Sequence, residues 1–353
     1  MAVHREQTRR IYVGSFPVGG GAPVSIQSMT NTLTFQVHET VTQLQRLKAA
    51  GCDIARISIP DGDALKAFEE IRKQIHIPLI ADIHYDYRLA IGAMRSGADG
   101  IRINPGNIGR KQKVRALADV ARELKIPIRV GVNLGSVKKE LLDRFAHDRV
   151  GALVENARQW VEMFEEMGVN AMKVSLKSSD VVETIDAYRR FAQISPWPLH
   201  VGVTESGPLY SGLIRSSVGI GVLLHEGIGD TIRVSLSADP VEEVFAARML
   251  LECLALRKEG IRVIACPTCA RANADVAAIA TELENALKEE KRHMIVAVMG
   301  CSVNGPGEAR IADIGIACDR KGALLFSHGK ILRRIRINEI VDTILEEIQK
   351  ETP

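Results

Sequence analysis

Aromatic side chains are scarce in this chain: 2 Trp, 5 Tyr and 8 Phe among 353 residues. That is too little for a platform on which nucleobases stack, and a net charge of +3 provides no basic stripe for a phosphate backbone. The densest basic stretch, "LRRIRI" at 332–337, alternates and reads as one polar face of a strand. No apolar run approaches the roughly 18 to 20 residues of a membrane span. The opening "MAVHREQTRR" lacks the apolar core of a signal peptide. Together these absences point to a cytoplasmic protein, where disulfides are rare. The cysteines, Cys52, Cys253, Cys266, Cys269, Cys301 and Cys318, are then thiols or metal ligands. A second C-x-x-C is missing, and so is a G-x-G-x-x-G after the first strand.

What is present is a rhythm. Short apolar runs alternate with helical stretches, the pattern of parallel β/α architecture. Eight strands are expected: 22–29, 53–59, 77–84, 99–104, 126–133, 170–176, 198–204 and 230–236. Eight strand-helix units close a TIM (β/α)8 barrel. The fold class is therefore α/β, with a barrel over residues 1–258 and a smaller α+β domain over 259–353, where the rhythm breaks.

Strands buried on both faces should be nearly all apolar. Five of these carry a cation instead: Arg56, Arg102, Arg129, Lys173 and Arg233. Two residues further, on the same face, stand Ser58, Asn104, Gly131 (then Asn133), Ser175 and Ser235. The third strand adds Asp82 and His84, and the seventh ends at Thr204-Glu205. C-terminal strand ends form the active-site face of a TIM barrel. Five cations against two strand-end carboxylates leave positive charge unpaired. Because unpaired buried charge is costly, the pattern favours a polyanion site, phosphate or diphosphate, over structural ion pairs.

In the second domain, "CPTC" (266–269) and "GCSVNGPGE" (300–308) each begin where a strand ends. Cys266, Cys269 and Cys301 supply three thiolates. Structural zinc takes two clustered ligand pairs, so an iron-sulfur cluster fits better. For a fourth ligand the spacing leaves Glu308, Cys318 or a position filled by substrate. Cys52, Cys253 and Cys318 read otherwise as small core residues.

The stretches "VSIQSMTNT" (24–32), "ADIHYDY" (81–87), "IRINPGNIG" (101–109), "RVGVNLGS" (129–136), "CPTCAR" (266–271) and "GCSVNGPGEA" (300–309) resemble, in order, the signatures of the 4-hydroxy-3-methylbut-2-enyl diphosphate synthase family, in its compact two-domain form. The resemblance implies a [4Fe-4S] cluster held by Cys266, Cys269, Cys301 and Glu308. It implies 2-C-methyl-D-erythritol 2,4-cyclodiphosphate as substrate, flavodoxin or ferredoxin as electron donor, and a head-to-tail homodimer. In this reading Arg56, Asp82, His84, Arg102, Arg129, Asn133, Lys173, Ser175, Arg233 and Ser235 bind substrate. Glu205, with His84 second, delivers a proton, and Glu308 yields a coordination site on iron. One departure stands out: the family has Thr-x-Asp where this chain has Thr34-Phe35-Gln36. The main alternative is a zinc-stabilised phosphosugar lyase or aldolase using Lys173 as a Schiff base. A radical enzyme of the S-adenosylmethionine type would need C-x-x-x-C-x-x-C, which is absent.

Overall fold

The computed structural model describes residues 4–146, 148–301 and 311–351. The chain forms two compact units, Met1–Arg257 and Lys258–Pro353.

The first unit opens with a hairpin, β1 (Ile11–Val13) and β2 (Phe16–Val18), that buries Ile11, Val13 and Val18. Eight parallel strands follow: β3 (Ser25–Met29), β4 (Ile54–Ser58), β5 (Leu79–Ile83), β6 (Gly100–Ile103), β7 (Ile128–Asn133), β8 (Met172–Lys177), β9 (His200–Val201) and β10 (Thr231–Ile232). They are ordered β8-β7-β6-β5-β4-β3-β10-β9, and a bridge from Val174 to Leu199 joins β8 to β9 and closes the barrel. The helices are α1 (Val37–Ala50), α2 (Gly62–Gln74), α3 (Tyr87–Arg95), α4 (Pro105–Ile108), α5 (Lys111–Glu123), α6 (Lys139–Arg144), α7 (Arg149–Glu166), α8 (Val181–Ala192), α9 (Leu209–His225) and α10 (Pro240–Cys253).

Strand alternation divides this unit into two linings. Ala55, Ile57, Ala81, Ile83, Ile101, Ile103, Val130 and Val132 belong to one large apolar core. The residues between them carry the charges. At the N-terminal ends of the strands, one side-chain device recurs. An aspartate just before a strand accepts the N–H of a neighbouring strand: Ile26 to Asp53 (2.7 Å), Leu79 to Asp99 (2.8 Å) and Leu199 to Asp230 (2.7 Å). Each bond pairs a backbone donor that the parallel ladder leaves over.

Regular pairing in β9 and β10 stops after two residues each, where seven were expected. At that point a Cβ on Gly202 would stand 2.5 Å from the Arg233 carbonyl oxygen. Arg233 N–H still donates to Val201 O (3.0 Å), so Arg233 continues the line of β10 without being part of the regular strand.

The second unit is a five-stranded sheet in sequence order: β11 (Ile261–Ala265), β12 (Met294–Met299), β13 (Ile314–Asp319), β14 (Gly322–Ser327) and β15 (Lys330–Ile335). The first three run parallel and the last two join as antiparallel hairpins. Helices α11 (Val276–Ala286) and α12 (Ile340–Lys350) bury Leu283, Ile340 and Ile344 against it. Asp313 repeats the barrel's device, accepting from Ile295 N–H at 2.7 Å. The basic stretch at 332–337 starts on β15, an edge strand whose residues 330–334 are all exposed, rather than half-buried as a single polar face would be.

Candidate functional site: a cation-walled barrel mouth

Neighbouring strands hold the expected cations in register. Asp82 pairs with Arg102, Arg102 with Arg129, and Arg129 with Lys173 across β5 to β8. Asp82 is the hub: Arg56 Nε lies 3.4 Å from one oxygen, Arg102 Nη1 3.1 Å from the other, and His84 Nε2 3.9 Å away. Burial alone would raise the Asp82 carboxyl, but Arg56, Arg102 and Arg129 outweigh it and hold the pKa down at about 2.

A pocket of about 420 Å³ opens beside this hub, at the C-terminal ends of the strands. Four of the expected residues line it: His84, Arg102, Asn133 and Glu205. Arg56, Asp82, Arg129, Lys173 and Ser175 are buried and are not lining residues. Arg233 and Ser235, on the segment after β10, do not line it either. The Arg233 guanidinium is bound by Glu243 of α10 through two contacts of 3.2 Å. Glu243 also accepts from Ser28 Oγ (3.0 Å) and Leu236 N–H (3.0 Å). A tally restricted to strand-end carboxylates could not include this helix residue.

Sequence reasoning also missed Lys177. It is the last residue of β8, lines the pocket, and lies on the same face as Lys173 and Ser175. The alternation pointed to it, but the expected strand ended at 176. Burial, then Arg129 and Arg233, push its amine well below the ordinary lysine range. A Cβ on Gly202 would lie 2.8 Å from Lys177 Nζ, so the absence of a side chain there makes room for the amine. Asn104, Asn107, Ser136, Arg149, Ser178, Ser179 and Thr204 complete the polar lining. Glu205 is exposed and adopts left-handed backbone, φ 53°, uncommon for a residue with a Cβ.

Among the described residues, eight buried side-chain polar atoms have no hydrogen-bond partner, and all belong to barrel strands. They include Arg102 Nε, Arg129 Nε and Nη1, and Lys173 Nζ. Buried polar atoms are normally paired, so this wall presents donors in search of acceptors.

In the second unit, Cys266 follows β11 and Cys301 follows β12, at the same end of two parallel neighbours. Gly300 N–H donates to Cys266 Sγ at 3.2 Å, and Asn273 N–H to Gly300 O at 2.9 Å, folding the 266–273 loop against Cys301. Cys301 is buried and Cys269 is exposed. Among the described residues no three His, Cys, Asp or Glu side chains gather closely enough to hold a metal. Glu308 lies outside the described residues. Cys318 sits in the apolar core with its thiol pushed up to about 11, by burial first and by nearby Cys266.

Fold and pocket together define a TIM-barrel protein with a polar, cation-walled mouth and a second domain bearing thiols at adjacent strand ends. Residues 8–248 match the GcpE TIM-barrel domain and residues 262–350 the GcpE protein C-terminal domain. The chain is 49% identical over 348 residues to the 4-hydroxy-3-methylbut-2-en-1-yl diphosphate synthase (flavodoxin) of Thermodesulfovibrio yellowstonii, covering 99% of this chain and 100% of that one. The Geobacter sulfurreducens protein of the same name is also 49% identical, with 98% of each chain covered. The protein belongs to the GcpE family of 4-hydroxy-3-methylbut-2-en-1-yl diphosphate synthases. The dihydropteroate synthase of Stenotrophomonas maltophilia superposes on 71% of this chain and 100% of its own, with a TM-score of 0.54 at 13% identity, a likeness of fold alone.

Proposed function

We infer that the protein makes 4-hydroxy-3-methylbut-2-enyl diphosphate, a step of isoprenoid biosynthesis, by reductive ring opening of 2-C-methyl-D-erythritol 2,4-cyclodiphosphate. Two electrons enter from flavodoxin, and one oxygen leaves as water. The observation that carries the barrel's part is the set of buried cationic donors without acceptors beside the pocket. A diphosphate supplies those acceptors. Arg102, Lys177 and Asn133 bind and orient it, His84 stands against Asp82, and Glu205 presents a carboxyl group at the rim for proton delivery.

The second unit's thiols suit an iron-sulfur cluster in donor chemistry. Cys266 and Cys301 end adjacent strands, and an N–H already points at one sulfur. Cys266, Cys269, Cys301 and Glu308 would hold a [4Fe-4S] cluster, which when bound supplies one-electron transfer at low potential. The aldolase alternative is set aside by the family match over both domains.

A head-to-tail homodimer belongs to the same reading. The exposed apolar row Tyr210, Ile214 and Val218, four residues apart on α9, is one surface available to a second copy. The deciding experiment is anaerobic purification with iron, sulfide and zinc analysis, plus EPR of the reduced protein. About four irons and four sulfides per chain are expected, with a spectrum that changes on adding the cyclodiphosphate. Zinc without sulfide would overturn the reading.

A further inference from the structure

Lys173 is 1% exposed, and its amine has no hydrogen-bond partner within the protein. Its register neighbour on β7 is Arg129, also with unpartnered nitrogens. The charged groups acting on the amine or on its neighbours come from every side: Arg56 on β4, Lys177 on β8, His200 on β9, and Asp230 just before β10. Asp230 is already engaged, accepting from Leu199 N–H (2.7 Å) and Thr8 Oγ1 (2.8 Å). The other interior carboxylates are engaged too, Asp82 with Arg56 and Arg102, and Glu243 with Arg233. An ammonium at Lys173 thus faces Arg129 and Arg56, opposed by Asp230, whose oxygens already accept two hydrogen bonds. Burial first, then Arg129 and Arg56, push this amine down to about 7.

A polyanion that takes up the free donors of Arg129 reverses the local field. We propose that a polyanion enters the barrel together with one proton from solvent, which the Lys173 amine takes up. This rests on the barrel being the polyanion site and gives that site a pH dependence. Each phosphate of a cyclic diphosphate carries one ester and one anhydride link, which leaves a single strongly acidic hydroxyl, so the ligand itself has no group titrating near neutrality. The Lys173 contribution to affinity, read as the difference between wild type and a Lys173 variant, should be flat below about pH 7 and should fall up to about tenfold per unit above it.

The test is calorimetric titration of the anaerobic holoenzyme at about pH 6 and about pH 8, in buffers of different ionisation enthalpy. The probes are the cyclodiphosphate and sulfate. Near pH 8 the wild type should take up about one proton more than Lys173→Met or Lys173→Gln; near pH 6 the uptake should shrink. Equal uptake in wild type and variants overturns the proposal. Should neither variant fold, the wild type still decides, because uptake that does not differ between the two pH values also overturns it. Sulfate binding with proton uptake but no cyclodiphosphate binding would leave the coupling standing and sink the substrate assignment.

Discussion

A methyl group on Gly131 would lie 3.0 Å from Arg102 Nε and 3.3 Å from Ser175 Oγ. The missing side chain is what lets the Arg102 guanidinium cross β7 toward the pocket. Gly131→Ala should therefore displace that group and weaken substrate binding by about 1.5 to 3 kcal/mol, the worth of a charged hydrogen bond. The readout is a raised KM with little loss of thermal stability. Gly202→Ala is a contrasting case, because its Cβ would meet the Arg233 carbonyl at 2.5 Å. It should cost about 1 to 3 kcal/mol of stability as well as binding, measured by denaturant unfolding. Glu205→Gln should lower kcat while leaving the unfolding midpoint in place, since an exposed carboxylate contributes little to the fold; an unchanged kcat would remove Glu205 as the acid. At this scale the cations were legible because charge inside a parallel strand is anomalous. Which of them reach the pocket was not, since depth depends on strand register and on where each strand stops.

At the scale of the element, α1 is one of four longer helices, with α5, α9 and α12, whose N-cap side chain accepts no backbone N–H. Asp61, Asp86, Asp148, Asp180, Asp239 and Asp275 cap their helices by accepting a backbone N–H, whereas Gln36 at the N-cap of α1 makes no such bond. The position where the resemblance expects Asp is thus a helix cap, and Gln36 is not among the residues lining the pocket. Gln36→Asp should stabilise the protein by about 1 kcal/mol, raising Tm by roughly 2–4 °C. The eight strands and the second sheet were legible from apolar runs and glycine stops. The β1–β2 hairpin was not, because three-residue strands carry too little periodicity to read. The shortness of β9 and β10 was equally hidden: it arises where Gly202 meets the Arg233 backbone, a contact between distant stretches of chain.

For the whole molecule, the charged interior sets the pH response of stability. Lys173 and Lys177 have folded pKa values below the unfolded one, so between about pH 7 and 10 the unfolded chain binds more protons. The ligand-free protein should therefore gain stability as pH rises through that window, and a bound diphosphate should shrink the gain. Denaturant midpoints near pH 7 and pH 9 check the sign. Asp82 works at the other end. Its depressed pKa stabilises the fold above the unfolded value of 3.8, and that contribution is lost as pH falls toward about 2. Asp230 opposes it, since its carboxyl is raised to about 6, by burial first, and it costs stability as pH rises from 3.8 to that value. The division of the barrel strands into an apolar outer lining and a charged inner one has a further consequence. The apolar residues that pack the barrel and the unpartnered polar groups of its inner face are different residues, alternating along the same strands. Apart from Arg233, which is tied to Glu243 of α10, inner-wall side chains such as Arg102, Arg129 and Lys173 lie outside the apolar core that the helices cover. Such a scaffold can therefore change its chemistry by mutation while keeping its shape, and it tolerates a ligand site that on its own terms is poorly paired.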